Sequence, residues 1–290
     1  MIETKRYPLK LTAVNKSILW GGTRLAEAYG KGEGKIAEAW ELAVHPEGIC
    51  RIENGELAGM LLSEYLGSEE SFPLMIKLID AADRLSIQVH PVKTEMWYIV
   101  EAEEGASLVY GLKERFDELS FRRALEEGTV EELLNVVPVH KGDVFFIPQG
   151  LVHAIGKGIL IAEIQENSNV TYRVYDYGRL QNGKPRELHV EEAIRTVKDF
   201  TEAEIEALRY AEGKDSDRTI AHCPLFRVER QVVSGTLSLS VGERFLSLVC
   251  LEGEGTVGGE PIGKGDSYFL PAGLGEVLLT GNLELLVTTE

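Results

Sequence analysis

The side chains in this sequence best suited to chemistry are Gln88, His90, Glu95 and His153. In Leu85-Ser86-Ile87-Gln88-Val89-His90-Pro91 apolar and polar residues alternate, as in a strand with one dry face. Leu85, Ile87 and Val89 take that face. Ser86, Gln88 and His90 share the other, until Pro91 stops the strand. A row of Ser, Gln and His turned inward needs partners, because each unpaired buried polar group costs about 1–3 kcal/mol. Glu95 follows after one tight turn and returns a carboxylate beside Gln88 and His90, while His153 ends a Pro-Gly turn in GDVFFIPQGLVH. An amide oxygen, two imidazoles and one carboxylate form a mixed nitrogen and oxygen set that suits zinc or another divalent first-row metal. With a single carboxylate the ion keeps net positive charge and polarises a substrate oxygen. Each residue alone reads as ordinary: a core histidine, a solvated strand end, a loop residue. Their joint placement carries the reading. His45, His140, His189 and His222 lack such neighbours and read as structural.

The elements that must position this set are short strands between Gly, Pro, Asn and Asp turns. They are expected over Ala39–Val44, Leu85–His90, Met96–Val100, Val144–Ile147, Ile159–Ile164 and Thr171–Tyr175. Such spacing predicts a β-sandwich or barrel. Helices interrupt it at Leu57–Leu66, Glu187–Val197 and Glu202–Tyr210. A pair over Arg115–Asn135 breaks near Gly128, where Thr129 and Glu132 suggest a capping box. Ala211–Arg218 is polar and reads as a linker, and the residues beyond Ile220 are strand and turn. Residues 142–153, GDVFFIPQGLVH, are echoed by residues 265–276, GDSYFLPAGLGE. Two segments sharing Gly-Asp, Phe, Pro and Gly-Leu at fixed offsets suggest two related β-units. The second ends in Glu276, and no histidine follows His222, so the C-terminal unit is expected to lack a metal site. The expected division is a catalytic domain over 1–210, with a helical insertion near 113–135 and helices near 187–210, and a smaller β domain over 219–290.

Composition bounds the function. The chain has 290 residues, 44% hydrophobic and 27% charged, as expected of a folded soluble protein. A net charge of −17 argues against nucleic acid and anionic membranes as partners. No apolar run approaches bilayer length, and the N-terminus has no apolar signal core. Cys50, Cys223 and Cys250 are widely spaced without CxxC, which favours a reducing cytoplasm. A monomer or homodimer is expected.

These segments also carry a family resemblance. GDVFFIPQGLVH resembles the second cupin motif, with Gly156 where many cupins have Asn, and QVHPVKTE resembles the first with Gln in place of its first His. Together with LSIQVHP, TEMWYI, PQGLVHAIG, QENSNVTYRVYDYGR, WGGTRL and AEAWELA, they resemble type I phosphomannose isomerase of the short microbial kind, over nearly the whole chain. The resemblance implies a mainly β fold of two cupin-type barrels (jelly rolls) with inserted helices, the C-terminal one without metal. It implies one zinc ion on Gln88, His90, Glu95 and His153, other divalent metals being possible. It implies Arg173 as the active-site arginine, Ser86 and Lys93 close to a sugar phosphate, and Glu163 lining the pocket. The implied reaction interconverts mannose 6-phosphate and fructose 6-phosphate through an enediol-type intermediate. Tyr172, Val174 and Tyr175 place Arg173 in a largely buried strand, where a guanidinium needs an anion. Arg179 or Lys113 are further candidates for the phosphate. The proton carrier stays open between Glu163, a histidine-bound water and a metal-bound water.

Two departures stand out. Only Pro91, Val92, Lys93 and Thr94 separate His90 from Glu95, where family members often have more, and Asn169 replaces a common Asp. Two rival readings share the barrel: a cupin oxygenase using iron or manganese, and a non-catalytic sugar-phosphate-binding cupin. The first more often has His where Gln88 stands and leaves Arg173 unexplained.

Overall fold

The computed structural model describes residues 6–67, 72–210 and 218–290. Apart from Arg218, the expected linker lies outside the described residues. The chain forms two compact units, one of residues 17–22 and 79–214, the other of residues 1–16, 23–78 and 215–290. A chain-order boundary falls near 214, but residues up to 78 are mostly grouped with the C-terminal strands. No helix among the described residues is long and apolar enough to cross a membrane.

In the first unit one antiparallel sheet runs in the order Leu134–Pro138, Ser107–Leu112, His153–Ile155, Ile87–Val89, Tyr172–Tyr175. A second run of strands is ordered Arg209–Tyr210, Val144–Ile147, Glu95–Ala102, Ile159–Glu166. Ile87 and Val89 pack with Val152, Ala154 and Val174 against Phe121 and Ala124 of helix Glu118–Glu127 and against Ala193 and Ile194 of helix Val190–Thr196. The expected dry face of this strand is therefore the helix-covered outer layer, and Gln88 belongs to the other face. Asp117 caps the first helix by accepting from the Ser120 amide, and Gly128 closes it in the left-handed region.

The capping box expected at Thr129 and Glu132 does not form. Thr129 has a near-helical ψ, its side chain makes no cap bond, and its carbonyl accepts from the Glu132 amide to start a 3₁₀ turn at Val130–Leu133. A capping box is present at Thr201 and Glu204, at the start of helix Glu202–Ala207. The helix expected over Leu57–Leu66 is two single turns, Gly55–Leu57 and Leu62–Leu66, separated by residues that bend the chain.

The second unit is built on a sheet ordered Thr219–His222, Arg227–Val241, Gly275–Thr289, Leu246–Val257, Ser267–Leu270, Leu9–Thr12, Arg51–Ile52. Its interior holds Leu248, Cys250, Tyr268, Leu270 and Leu285.

The two echoed segments adopt the same local structure. Gly142 and Gly265 have φ of 91° and 89°, and Gly150 and Gly273 have φ of 87° and 72°. The Gly142 amide donates to Ile99 O at 2.8 Å, and the Gly265 amide donates to Cys250 O at 2.8 Å. The Ile99 amide donates to Asp143 O, and the Cys250 amide to Asp266 O, both at 2.9 Å. Asp143 Oδ2 accepts from His140 N, as Asp266 Oδ2 accepts from Gly263 N. Strand register extends the match: Ile147 faces Glu95, and Leu270 faces Leu246. Glu95 and Leu246 therefore hold equivalent positions, as do His153 and Glu276.

Candidate metal centre

Strand register lines up one row of the site. Gln88 is flanked by Arg173 on one neighbour and by His153 on the other. On the second run of strands Glu95 pairs with Gln165, and Trp97 with Glu163. Strand alternation sets these four on one face. The two rows meet. His90 Nε2 lies 3.6 Å from Glu95 Oε2, and His153 Nε2 lies 3.5 Å from Glu95 Oε1. The two histidine Nε2 atoms are 3.1 Å apart, and the Gln88 amide nitrogen is 3.3 Å from His153 Nε2. His90, Glu95 and His153 are all buried.

Backbone carbonyls fix the histidine tautomers. Val170 O lies 3.0 Å from His90 Nδ1, and Leu151 O lies 2.8 Å from His153 Nδ1. A carbonyl only accepts, so each Nδ1 carries the proton and each Nε2 keeps a lone pair. Burial also pushes the His153 imidazolium down to about 4, favouring the neutral ring. Two imidazole lone pairs facing one another at 3.1 Å repel unless a cation lies between them. Four ligands about 2.0–2.1 Å from zinc stand roughly 3.3–3.4 Å from one another. The observed spacings of 3.1–3.6 Å fit that shape. Gln88 offers its oxygen by a half-turn of its amide. The residues present thus fit a tetrahedral divalent ion.

Sequence-local features hold this geometry. The turn before His153 folds back so that the Gly150 amide donates to His90 O at 3.0 Å. Gly150 is left-handed, and a Cβ there would meet the Thr196 carbonyl oxygen. Gly156 has its own cause, since any Cβ would collide with the Ser107 carbonyl oxygen. The short turn after His90 is fastened by the Thr94 amide donating to Glu166 Oε2 at 2.6 Å and by the Glu166 amide donating to Thr94 O.

Lys93 is not an exposed loop lysine. It is buried, with Nζ 3.0 Å from Glu95 Oε2 and donating to Gln165 Oε1 at 3.3 Å. Arg173 is half-buried. It donates to Ser86 Oγ at 3.3 Å and to Glu187 O at 2.7 Å. No carboxylate forms an ion pair with it among the described residues. Burial, with the nearby Arg186 charge, pulls its guanidinium below the usual arginine range. Glu163 is buried, and its Oε2 accepts from the Trp97 indole N–H at 2.9 Å.

The two further cation candidates have protein partners of their own. Arg179 pairs with Asp176, which Arg186 also holds, and with Asp83. Lys113 Nζ donates to Glu132 O at 2.8 Å. Sequence reasoning passed over Trp97 and Gln165. The signal was available, since each lies two residues along a strand from a candidate, Glu95 or Glu163, and so shares its face.

The family described as "Phosphomannose isomerase type I, catalytic domain" matches residues 9–106, and "Mannose-6-phosphate isomerase, cupin domain" matches residues 216–290. Mannose-6-phosphate isomerase ManA of Bacillus subtilis is 38% identical, over 97% of this chain and 98% of that protein. A mannose-6-phosphate isomerase of Streptococcus mutans is 33% identical with the same coverage. A crystal structure of the mannose 6-phosphate isomerase of Bacillus subtilis superposes with a TM-score of 0.86 at 31% identity, covering 98% of this chain and 99% of that one.

Proposed function

The chain belongs to the type I phosphomannose isomerase family, and from that premise we propose how its residues interconvert mannose 6-phosphate and fructose 6-phosphate. The observation that carries the reading is the buried His90, Glu95, His153 cluster beside an arginine that no carboxylate neutralises among the described residues. Gln88, His90, Glu95 and His153 would hold a divalent metal, one zinc ion. Bound there, it would supply Lewis-acid polarisation of a sugar oxygen and stabilisation of negative charge developing on it.

The rest of the chemistry falls to the chain itself. Moving hydrogen between C1 and C2 through an enediol-type intermediate requires a group that takes and returns a proton. Glu163 fits that task, its carboxylate held by the Trp97 indole at 2.9 Å. Arg173 supplies a fixed planar cation that orients the C1 and C2 oxygens. Ser86 Oγ, 3.3 Å from Arg173 Nε, and the Lys93 ammonium bind the phosphorylated end of the sugar.

We extend the reading to the second unit as a cupin-type barrel without metal. Supporting this, Leu246 and Glu276 occupy the positions equivalent to Glu95 and His153, and Glu276 is exposed, accepting from the Ser238 hydroxyl. The cytoplasm is the compartment we assign, since Cys50 and Cys250 are buried free thiols.

The test is isomerisation of mannose 6-phosphate before and after chelation, with zinc added back. Loss on chelation and recovery with zinc supports the metal dependence. No turnover by zinc-loaded protein, or oxygen consumption in its place, would overturn the reading. Arg173→Ala should retain zinc and lose turnover by about 100-fold. Wild-type kinetics in that variant would remove Arg173 from the mechanism.

A further inference from the structure

Gln165 is a fully buried neutral amide beside the charged residues of the site. All of its hydrogen-bonding directions toward the loop and the lysine are in use. Its Nε2 donates to Glu166 O at 2.8 Å and to Ser168 O at 2.6 Å, and its Oε1 accepts from Lys93 Nζ at 3.3 Å. Both partners of the nitrogen are carbonyls, which cannot donate. The orientation of the amide is therefore set by its surroundings, with nitrogen toward the loop and oxygen toward the lysine.

Each end of this amide leads to a residue of the site. On the oxygen side Lys93 is held between Gln165 and Glu95, whose Oε2 is 3.0 Å from Nζ. A neutral acceptor there keeps the ammonium from collapsing wholly onto the carboxylate, without adding a second negative charge. On the nitrogen side the two carbonyls belong to the turn over residues 166–170. That turn is tightened by the Ser168 amide donating to Glu166 O, and it ends at Val170, whose carbonyl faces His90 Nδ1 at 3.0 Å. The register that pairs Gln165 with Glu95 brings both ends within reach of one side chain.

We infer that Gln165 is a positioning residue: it sets the place of the Lys93 ammonium and, through the 166–170 turn, the orientation of the His90 ring. Its side-chain amide is spent on Lys93 and on the two turn carbonyls. The inference rests on the reading of Lys93 as a substrate-binding residue, and the experiment separates the two.

KM and kcat for mannose 6-phosphate are measured on zinc-loaded wild type, Gln165→Met, Lys93→Met and the double variant. Gln165→Met keeps the length of the side chain and removes every hydrogen bond. It should raise KM about tenfold and change kcat by less than about threefold. Lys93→Met should raise KM at least as much. Because Gln165 reaches the substrate only through Lys93, its turn contacts bearing on the metal ligand His90 instead, KM of the zinc-loaded double variant should match that of Lys93→Met within about twofold, the strong non-additivity of residues in one network. A structural defect alone would not produce that pattern.

A raised KM in Lys93→Met with wild-type KM in Gln165→Met overturns the role of Gln165. Multiplicative effects in the double variant overturn it as well. Wild-type KM in Lys93→Met removes the substrate-binding reading of the lysine, and this inference with it. Should Gln165→Met fail to fold, Gln165→Glu tests the turn. It keeps an oxygen toward Lys93 and loses both donors to the carbonyls, so it should retain less zinc than wild type after dialysis against a chelator. Wild-type zinc retention would overturn the link to His90.

Discussion

The two Gly-Asp turns of this chain share their hydrogen bonds and differ in what they deliver. Residues 142–153 and 265–276 have left-handed glycines at the same offsets and the same aspartate closing the same turn. The first ends in the buried imidazole of His153, the second in the exposed carboxylate of Glu276. The register position of Glu95 holds Leu246 in the second unit. That unit also buries a carboxylate, Glu41, beside a lysine: Lys31 Nζ lies 2.7 Å from Glu41 Oε2 and also donates to Gly265 O. Both units set a lysine on their buried carboxylate, Lys31 on Glu41 and Lys93 on Glu95. Only at Glu95 do two imidazole lone pairs also turn toward the carboxylate, an arrangement that a metal ion completes. Turn geometry is specified by Gly, Asp and Pro. The chemistry is specified by a few register positions that the turn does not constrain.

The equivalent residues His153 and Glu276 should respond oppositely to the same substitution. His153→Ala should remain folded, lose bound zinc, and lose activity by more than about 100-fold, since changes outside the ligand shell already cost 10–100-fold. Glu276→Ala should keep zinc and turnover, with stability within about 0.5 kcal/mol of wild type, as for a surface substitution. Metal content by elemental analysis, with circular dichroism as the control for folding, decides both. Stoichiometric zinc in His153→Ala, or its loss in Glu276→Ala, would end the functional asymmetry of the two turns.

The next largest effect lies at the buried Lys31–Glu41 pair of the second unit. Lys31→Met should destabilise the protein by about 3 kcal/mol, because it leaves a buried carboxylate without its cation. It should leave zinc content unchanged. The effect carries a pH signature. Burial already holds the Glu41 carboxyl above the ordinary carboxylate range, with the Lys31 charge pulling it back down. A carboxyl raised in the folded state keeps its proton longer there than in the unfolded chain. Its contribution to stability therefore falls as pH rises above the ordinary carboxylate range. Removing Lys31 steepens that fall, so the gap between variant and wild type should shrink as pH is lowered toward that range. Urea midpoints at several pH values measure it. A gap independent of pH would show that Glu41 is not the group left unpaired.

How much of this was legible in the sequence depended on whether the signal was local. Strand alternation in 85–90, the tight turn to Glu95 and the Pro-Gly turn before His153 are short-range patterns, and they sufficed to bring His90, Glu95 and His153 together. The echo was legible because few residues replace a left-handed glycine or an aspartate that accepts from a turn amide. Long-range pairing left no such trace. Leu9–Thr12 pairs with Ser267–Leu270, so a domain drawn along the chain over 1–210 could not anticipate it. Nothing in the sequence signals that Asp176 holds Arg179 together with Arg186. Gln165 escaped notice because a neutral amide has no charge and no motif spacing. Only its buried partners reveal what it holds.

The smallest effect compares the turns most directly. Gly150 and Gly273 are both left-handed, so alanine at either should cost about 1–2 kcal/mol in backbone strain alone. Their surroundings differ. A Cβ on Gly150 would lie 2.9 Å from the Thr196 carbonyl oxygen, which is backbone and yields little, whereas a Cβ on Gly273 would meet Arg6 Nη1, the far end of a flexible side chain. Gly150→Ala should therefore lose more stability than Gly273→Ala, by about 1 kcal/mol or more. It should also weaken zinc retention, because the Gly150 amide donates to His90 O and the same turn leads into His153. Gly273→Ala should leave zinc retention as it is. Equal losses of stability with zinc retained in both would mean that the turn is a scaffold in each unit and that His90 and His153 are held by their carbonyl partners alone. Loss of zinc in Gly150→Ala only would mean that an identical backbone device has been made part of the metal centre in one unit and not in the other.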